Sequence, residues 1–307
     1  MDGTLLGANA TVSPRNLAAL RAAERAGAEI VIATGRRHCY AMKVLRDLNL
    51  NPSSALVSSN GTVVRTIGAE LLHRTLMPLS TARWLCTHLA DYRTSLVVTF
   101  DAVNADGEDT RGALVVEHLD TLHASISGWM RANEPYIAQV QPIEAALEAD
   151  APIQMMICGP LDLMRRAETI LLEHEGVFAE GVSPRERIHT AEVALHRTEY
   201  AERDLCIVDL LPAGCSKGSA ILRHAADRGL QPADILAIGD NWNDVSMLEI
   251  AGEAVVMSNA PADLKLLAAE RGWTVGLSNE EDGVAMAIES AFQRWPPAPQ
   301  PPALVVS

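Results

Sequence analysis

"ILAIGDNWND", residues 235–244, is the stretch of the 307-residue chain that decides the fold. Its first four residues are apolar, which predicts a short strand buried on both faces of a parallel sheet. Asp240 comes just past this strand, and Asp244 follows four residues later. Because ligands of open parallel sheets bind outside the carboxyl ends of the strands, both aspartates are candidate site residues. Paired carboxylates at a strand end can hold a hard cation such as Mg²⁺.

Three other places carry candidate site residues. Thr34 and Gly35 come directly after "EIVIA", where a hydroxyl group and open backbone N–H groups can face an anion. Lys217 stands at a predicted helix start in "GCSKGSAI", where its ammonium group can neutralise phosphate charge. Asp2 precedes "GTLL" at the beginning of the chain. Taken singly, these residues also fit ordinary roles, such as a strand end, a solvated helix terminus or a helix cap.

Strands and helices alternate in the first and last thirds of the chain. Ser13 and Pro14 open a predicted helix that stops at Gly27, and Asn60-Gly61 predicts a hairpin turn. Further strands are predicted at 29–33, 55–58, 235–238, 253–257 and 274–276, and further helices at 38–48, 217–228, from about 243, from 261 and around 282–293. This alternation predicts an α/β fold with a doubly wound, Rossmann-like parallel sheet.

The middle of the chain has a different pattern. Strand-like runs occur at 95–100, 113–118, 153–158 and 204–210, and helical patterns occur at 80–91 and 162–175. They favour helices on one face of a mostly antiparallel sheet, an α+β unit inserted into the core. We therefore expect a core at 1–71 and 212–293, an inserted unit at 72–211, and a loose proline-rich tail at 294–307.

The composition disfavours several classes of function. A net charge of −14 and a pI of about 5.1 disfavour nucleic acid as a partner. Five scattered cysteines without a C-x-x-C pair argue against a disulfide framework or a zinc knuckle. No run approaches the roughly 18 apolar residues of a membrane span, and the N-terminus lacks the features of a signal peptide. We expect a cytoplasmic protein that binds neither nucleic acid nor membranes.

Taken in order, these elements resemble one known family. Their order and setting are similar to those of the haloacid dehalogenase superfamily of phosphohydrolases, and of its Cof-like (type IIB) branch in particular. The similar segments are "DGTLL", "TGR", "SSNGTVV", "SKGSAI", "GDNWNDVSML", "MSNAPADLK" and "NEEDGVAMAI". The resemblance extends to about residue 293, and one departure is Ser258, where the family usually has glycine.

The resemblance implies Mg²⁺-dependent hydrolysis of small phosphate monoesters, such as sugar phosphates, through a phosphorylated aspartate. It assigns the phosphate oxygens to Thr34, the Gly35 amide, Lys217 and Asn243. Together these groups would place donors and positive charge where the transferred phosphoryl group carries its negative charge.

The resemblance also assigns the metal and the proton transfer. Asp240 would bind Mg²⁺ directly, and Asp244 would support it. Asp2 would be the general acid/base, and its backbone carbonyl would help to hold the metal. The inserted unit would be the cap that selects the leaving group.

The family's nucleophile has no counterpart in the chain. In the family motif Asp-x-Asp-Gly-Thr, Asp2 corresponds to the second aspartate and Met1 to the variable residue. The family strand before this motif lies at the sheet centre, and its loss would orphan backbone groups at about 1–3 kcal/mol each. Several such losses would exceed a typical stability of about 5–15 kcal/mol. We therefore expect Met1 to be an internal methionine, with the nucleophile just upstream.

Three other interpretations remain open. A phosphosugar mutase would use a similar core and cap. A non-catalytic phosphometabolite-binding protein would still hold ligand and metal through Thr34, Lys217 and Asp240. An unrelated nucleotide-binding domain is disfavoured, because neither G-x-G-x-x-G nor G-x-x-x-x-G-K-[ST] follows a strand. No pattern in the sequence indicates the oligomeric state or the identity of the substrate.

Overall fold

The computed structural model describes residues 1–120, 126–179, 183, 185–294 and 304–306. The chain divides into two compact units, which we describe separately. The core unit combines Met1–His73 with Ser216–Ser307, and the inserted unit is Arg74–Cys215. The sequence predicted junctions after residues 71 and 211.

The first part of the core unit begins with a helix. Its elements are α1 (Pro14–Arg25), β1 (Glu29–Ala33), α2 (His38–Leu45), β2 (Ala55–Ser58), β3 (Val63–Thr66) and β4 (Leu71–Arg74). The predicted cap of α1 is confirmed, since the Ser13 hydroxyl accepts a hydrogen bond from the Asn16 N–H at 3.0 Å. Pro14 occupies the first turn, where its fixed φ favours the helix and its missing N–H costs nothing.

The inserted unit contains more strands than the sequence predicted. Its elements are α3 (Leu79–His88), β5 (Leu96–Thr99), β6 (Leu114–Val116), α4 (Ser127–Asn133), β7 (Ile137–Gln139), β8 (Gln154–Gly159), α5 (Leu161–Glu173), β9 (Val177–Ala179), β10 (Val193–Tyr200) and β11 (Leu205–Pro212). The sequence did not predict β7, β9 and β10. These three strands extend the sheet at both edges of the four predicted strands, with β7 at one edge and β10 and β9 at the other.

The last part of the core unit returns to alternating strands and helices. Its elements are α6 (Lys217–Asp227), β12 (Ile235–Gly239), α7 (Val245–Ile250), β13 (Glu253–Val256), α8 (Ala262–Arg271), β14 (Thr274–Val275), α9 (Gly283–Arg294) and β15 (Leu304–Val306). A 3₁₀ turn at Trp242–Asp244 precedes α7. The predicted strands and helices of this region are therefore present, with small shifts at their ends.

The core sheet is parallel through its centre. Its strand order is β14-β13-β12-β15-β1-β2-β3-β4. The pairs between β14 and β2 are all parallel, and β3 pairs antiparallel with β2 as the predicted hairpin. The expected doubly wound α/β core is confirmed.

The strand at the centre of this sheet is β15, near the C-terminal end of the chain. Leu304 pairs in parallel with Glu29 of β1 and with Ile235 of β12. The expectation of a loose tail at 294–307 therefore fails for 304–306, because Leu-Val-Val suits a strand even after a proline-rich stretch. Arg294 belongs to α9, while 295–303 and 307 lie outside the described residues. β15 therefore supplies backbone partners to both β1 and β12.

Apolar side chains cover both faces of the core sheet, as a parallel sheet requires. Along β1, Ile30 and Ile32 face a cluster that contains Leu20 of α1 and Ile288 of α9. The intervening Val31 faces a second cluster with residues of α6, α7 and α8. This two-sided packing holds the strands that carry the candidate site residues.

The inserted unit is built on a mostly antiparallel sheet, as predicted. Its strand order is β7-β6-β5-β8-β11-β10-β9, with parallel pairs only at β6–β7 and β9–β10 among the described residues. Helices α3 and α5 pack on one face through Leu85 and Leu171. Helix α4 packs Trp129 and Met130 on the opposite face, so the helices are not confined to one face as expected.

All five cysteines are free and buried. Burial raises the pKa of Cys86, Cys158 and Cys206 to about 12, so these thiols stay protonated and unreactive near neutral pH. Within the described ranges, no helix has both the length and the apolar character needed to cross a membrane.

Candidate active site

Three parallel strands of the core unit end at the same edge of the sheet. Residue Thr34 follows β1, Ser59 follows β2, and Asp240 follows β12. Because these strands run in the same direction, their carboxyl ends gather the residues that come next.

A buried ion pair joins two of the predicted site residues. Lys217 Nζ lies 2.6 Å from Asp244 Oδ1, and both side chains are only 4% exposed. Lys217 is the first residue of α6, whose start is fixed by a capping box between Ser216 and Ser219. Burial acts to raise the pKa of Asp244, but the Lys217 ammonium group opposes it and holds this pKa below the ordinary value.

Asp244 has little capacity left for other ligands. Its second oxygen, Oδ2, accepts hydrogen bonds from the backbone N–H groups of Asp240 at 2.9 Å and of Asn241 at 3.1 Å. The side chain therefore ties the loop after β12 to the start of α6.

Asp240 lies against the N-terminal loop. The Thr4 hydroxyl donates a short hydrogen bond to Asp240 Oδ1. Gly3 has a φ of +70°, and a Cβ there would lie 2.2 Å from Asp240 Oδ2, so only glycine fits. Burial, and next the charge of Asp244, raise the pKa of Asp240 to about 6.

The loop after β1 is joined to the loop after β2. The Thr34 hydroxyl accepts the Arg36 N–H at 3.1 Å, while the Thr34 carbonyl accepts the Asn60 N–H at 3.1 Å. A Cβ on Gly35 would lie 3.2 Å from Asn60 Oδ1. That same oxygen accepts a hydrogen bond from Asn243 Nδ2 at 3.2 Å. Asn60 is fully buried and links Thr34 to Asn243.

Asp2 is held by Arg36, which lies in the loop after β1. Arg36 Nε donates to Asp2 Oδ2 at 2.8 Å, and Arg36 Nη2 donates a shorter bond to Asp2 Oδ1. The Asp2 side chain is half exposed, so it remains open to solvent and to a ligand.

The carboxylates at this edge of the sheet are of the kind that a divalent cation prefers. The described residues contain no group of three or more aspartate, glutamate, histidine and cysteine side chains able to hold a metal ion. They do contain two adjacent carboxylates, and the raised pKa of Asp240 shows that its ionised form is disfavoured where it stands. A cation beside Asp240 would relieve this cost, so the Asp240 carboxylate fits Mg²⁺ as one member of a ligand set.

The structure thus links the predicted residues through two chains of contacts. Lys217, Asp244 and Asp240 form one chain, and Thr34, Asn60 and Asn243 form the other. Sequence reasoning gave no role to Thr4, Arg36 or Asn60. Each lies inside a motif that was quoted, but Asn60-Gly61 was interpreted only as a hairpin turn.

Comparison with known proteins identifies the family. The haloacid dehalogenase-like hydrolase family matches residues 1–171 and 184–288. The chain belongs to this family. The resemblance inferred from the motifs is therefore confirmed, and the hydrolase is of the phosphoric monoester type, as its relatives are.

Two curated relatives are phosphatases. A Bacillus subtilis 5-amino-6-(5-phospho-D-ribitylamino)uracil phosphatase, YwtE, is 28% identical over 305 residues, covering 94% of this hydrolase and 95% of the relative. Pyridoxal phosphate phosphatase YbhA of Escherichia coli is 28% identical over 296 residues, with 94% and 96% covered. Among solved structures, the subclass IIB sugar phosphatase BT4131 has a TM-score of 0.68 at 19% identity, covering 95% and 96% of the two chains. At that identity the structural match shows the shared fold alone.

Proposed function

We propose that this hydrolase catalyses the Mg²⁺-dependent hydrolysis of small phosphate monoesters through a phosphorylated aspartate. The observation that carries the proposal is the buried Lys217–Asp244 pair, which adjoins Asp240 at the edge where β1, β2 and β12 end. A buried lysine is suited to an anion, and the neighbouring Asp240 carboxylate is suited to the cation that accompanies it.

The phosphate group would be bound by four donors. We assign them to the Thr34 hydroxyl, the Gly35 N–H, the Lys217 ammonium and the Asn243 amide. Support comes from Asn60, which donates its N–H to the Thr34 carbonyl and accepts a hydrogen bond from Asn243, and so ties two of these donor residues together. Fixed donors stabilise the charge of the transferred phosphoryl group without reorganising during the reaction.

Asp240 would hold Mg²⁺ together with the backbone carbonyl of Asp2. Asp244 would support Asp240 through the Asp240 N–H, since both Asp244 oxygens already accept bonds from protein donors. When bound, the cation would offset the repulsion between the phosphate and an attacking carboxylate.

The attacking carboxylate would belong to an aspartate immediately before Met1 in the full-length protein. Met1 is buried, at 4% exposure, so a residue that precedes it would lie within the site. Burial, and next the Lys217 ammonium, lower the pKa of the Met1 α-amino group. A peptide bond in its place would carry no charge and would remove the repulsion from Lys217.

Asp2 would act as the general acid and base. It would protonate the departing alcohol and then remove a proton from the water that hydrolyses the phosphorylated aspartate. Its half-exposed carboxylate supports this role, because a ligand can reach it.

A small phosphorylated metabolite is the proposed substrate class, and the cytoplasm is the proposed location. Two relatives carry the names of such metabolites, a phosphoribitylaminouracil and pyridoxal phosphate. The buried free thiols are compatible with a reducing compartment.

The test compares the 307-residue chain with a form extended by its natural upstream residues. Release of phosphate from p-nitrophenyl phosphate is measured with Mg²⁺ and with excess EDTA. We expect turnover only in the extended form and only with Mg²⁺. Asp240→Asn should abolish it, whereas Asp47→Asn, which changes an exposed aspartate of the same unit, should not.

Other outcomes identify the alternatives. A folded extended form that binds inorganic phosphate but releases none from the ester would favour a binding protein. Isomerised sugar phosphate without free phosphate would favour a mutase. A stop codon close upstream of Met1, with no aspartate codon between, would contradict the proposed nucleophile.

A further inference from the structure

Arg36 joins the phosphate-binding loop to the proposed acid/base. Its N–H donates to the Thr34 hydroxyl at 3.1 Å, and its carbonyl accepts the Ser59 N–H at 2.9 Å. Its backbone is therefore fixed to the loops that follow β1 and β2. Its side chain extends from this anchored position to Asp2.

The contact with Asp2 is bidentate. Nε and Nη2 of Arg36 donate to different oxygens of the same carboxylate, which fixes the plane of the carboxylate as well as its position. Each oxygen gives one lone pair to Arg36 and keeps one on its other side. A carboxylate held in this way can still carry a proton and deliver it in a defined direction.

The guanidinium group is itself held from the other side. Its central carbon lies 4.9 Å from the centre of the Tyr40 ring, on helix α2. The Arg36 side chain is 19% exposed, against 50% for Asp2, so the arginine is the more enclosed partner. A stacked, backbone-anchored arginine loses less freedom on pairing than an ordinary surface arginine does.

We propose that Arg36 is the positioning residue for Asp2, aiming its carboxyl group at the ester oxygen of the bound substrate. The inference rests on the proposed function. As the P–O bond breaks, its electron pair stays on the alcohol oxygen, and that oxygen takes the proton from Asp2. The carboxylate left behind then takes a proton from the water whose oxygen attacks the phosphorylated aspartate. Arg36 exchanges no proton in either step and keeps Asp2 in place for both.

The alternative is that Arg36–Asp2 is an ordinary surface ion pair with no effect on catalysis. Exposed ion pairs commonly contribute little to stability, and Arg15–Glu289, at 3.0 Å with both side chains about half exposed, is such a pair in the same unit. The two pairs differ in their contacts, since Arg36 makes a bidentate contact and lies over the Tyr40 ring, whereas Arg15 reaches Glu289 through Nη2 alone. Arg15 therefore supplies the matched control.

The experiment uses two substrates that differ in their need for a proton. p-Nitrophenyl phosphate releases a stable phenolate, whereas ethyl phosphate releases an alkoxide that must be protonated. The values of kcat/KM are measured for both in the extended protein, because this parameter reports the steps up to the first irreversible cleavage. The variants are Arg36→Met, Arg36→Lys, Arg15→Met and Asp2→Asn.

General acid catalysis contributes roughly 10²–10⁴-fold, which sets the expected size of the effect. Arg36→Met should lower kcat/KM for ethyl phosphate by about 10²-fold and for p-nitrophenyl phosphate by only a few-fold. Arg36→Lys should restore little of the kcat/KM for ethyl phosphate, since lysine keeps the charge but cannot make the bidentate contact. Arg15→Met should leave both substrates unchanged, and adding Arg36→Met to Asp2→Asn should cause no further selective loss.

Three results would overturn the inference while leaving the proposed function intact. An equal loss for both substrates would make Arg36 a structural or phosphate-binding residue. No loss for either would make the contact a solvated surface pair. A selective gain for ethyl phosphate would mean that Arg36 restrains Asp2 rather than aims it. If the wild-type extended protein cleaves neither ester, the proposed function fails, and the inference fails with it.

Discussion

Breaking the buried Lys217–Asp244 pair should destabilise the core unit strongly. The two charges lie 2.6 Å apart and both side chains are 4% exposed. With an effective dielectric constant of about 20, their attraction is about 6 kcal/mol before the cost of burying them is subtracted. Lys217→Met keeps most of the side-chain volume but leaves Asp244 charged and unpaired by any cation. Loss of one partner of a buried pair costs about 3–5 kcal/mol, which is a large part of the stability of an ordinary domain.

A double-mutant cycle separates the pair from other effects of substitution. Urea unfolding is measured for Lys217→Met, Asp244→Asn and the double variant. Each single variant leaves one buried charge without its partner, whereas the double variant leaves none. The double variant should therefore lose at least about 1 kcal/mol less than the sum of the two single losses. Lys43→Met, at an exposed lysine of α2, is the control and should cost about 0.5 kcal/mol or less.

Two results would refute this reasoning. Additive losses would show that the two charges do not interact, whatever their separation. A loss for Lys217→Met no larger than that for Lys43→Met would show that the Asp244 charge is satisfied without the lysine.

Three further changes have expected outcomes that unfolding experiments can check. Gly61→Ala should lower the free energy of unfolding by about 1–3 kcal/mol more than Gly27→Ala does. Both glycines have positive φ, but only a Cβ at Gly61 would meet the Ser216 carbonyl, at 2.2 Å. Equal losses of stability would exclude that contact. The hydrogen bond from Arg93 lowers the pKa of Glu144 below its ordinary value of 4.5, so the pair stabilises the inserted unit above that pH and loses its effect as the pH falls through the lowered pKa. Glu144→Gln should accordingly flatten the decline of stability in acid, and an unchanged slope would be evidence against the pair. Removal of residues 304–307 from the 307-residue chain should clearly lower the urea concentration at the unfolding midpoint. The reason is that β1 and β12 lose their backbone partners, at about 1–3 kcal/mol for each orphaned group. An unchanged midpoint would mean that β15 adds no stability.

The fold of the core unit was predictable because its signals are local. Ser13 and Pro14 place the start of α1, and an apolar run gives β2 its bounds at Ala55–Ser58. The candidate site residues remain predictions, and they rest on a different kind of signal. No single motif was specific, but the order of four motifs along the chain was, and each motif falls next to a strand end or a helix start.

One missed strand, β10, is apolar over only part of its length. In β10 (Val193–Tyr200) the first three residues are buried, while the remaining five are polar or partly exposed. The strand exists because all eight residues pair with β11. β15 was missed because its place depends on two strands that are distant in sequence. Pairing of this kind is decided by tertiary structure, and β propensity alone predicts it poorly.

The loop after β2 shows why a sequence can indicate candidate site residues but not the geometry that brings them together. Ser59 and Asn60 both adopt positive φ, at +49° and +53°, a conformation that costs an ordinary residue about 1–2 kcal/mol. The cost is offset by contacts with other loops, since their N–H groups donate to the carbonyls of Arg36 and Thr34. Gly61 then packs against Ser216, directly before Lys217. The three loops therefore stabilise one another's strained or close-packed conformations. A pattern confined to one loop cannot reveal this, because "SNG" alone is equally compatible with a plain hairpin turn.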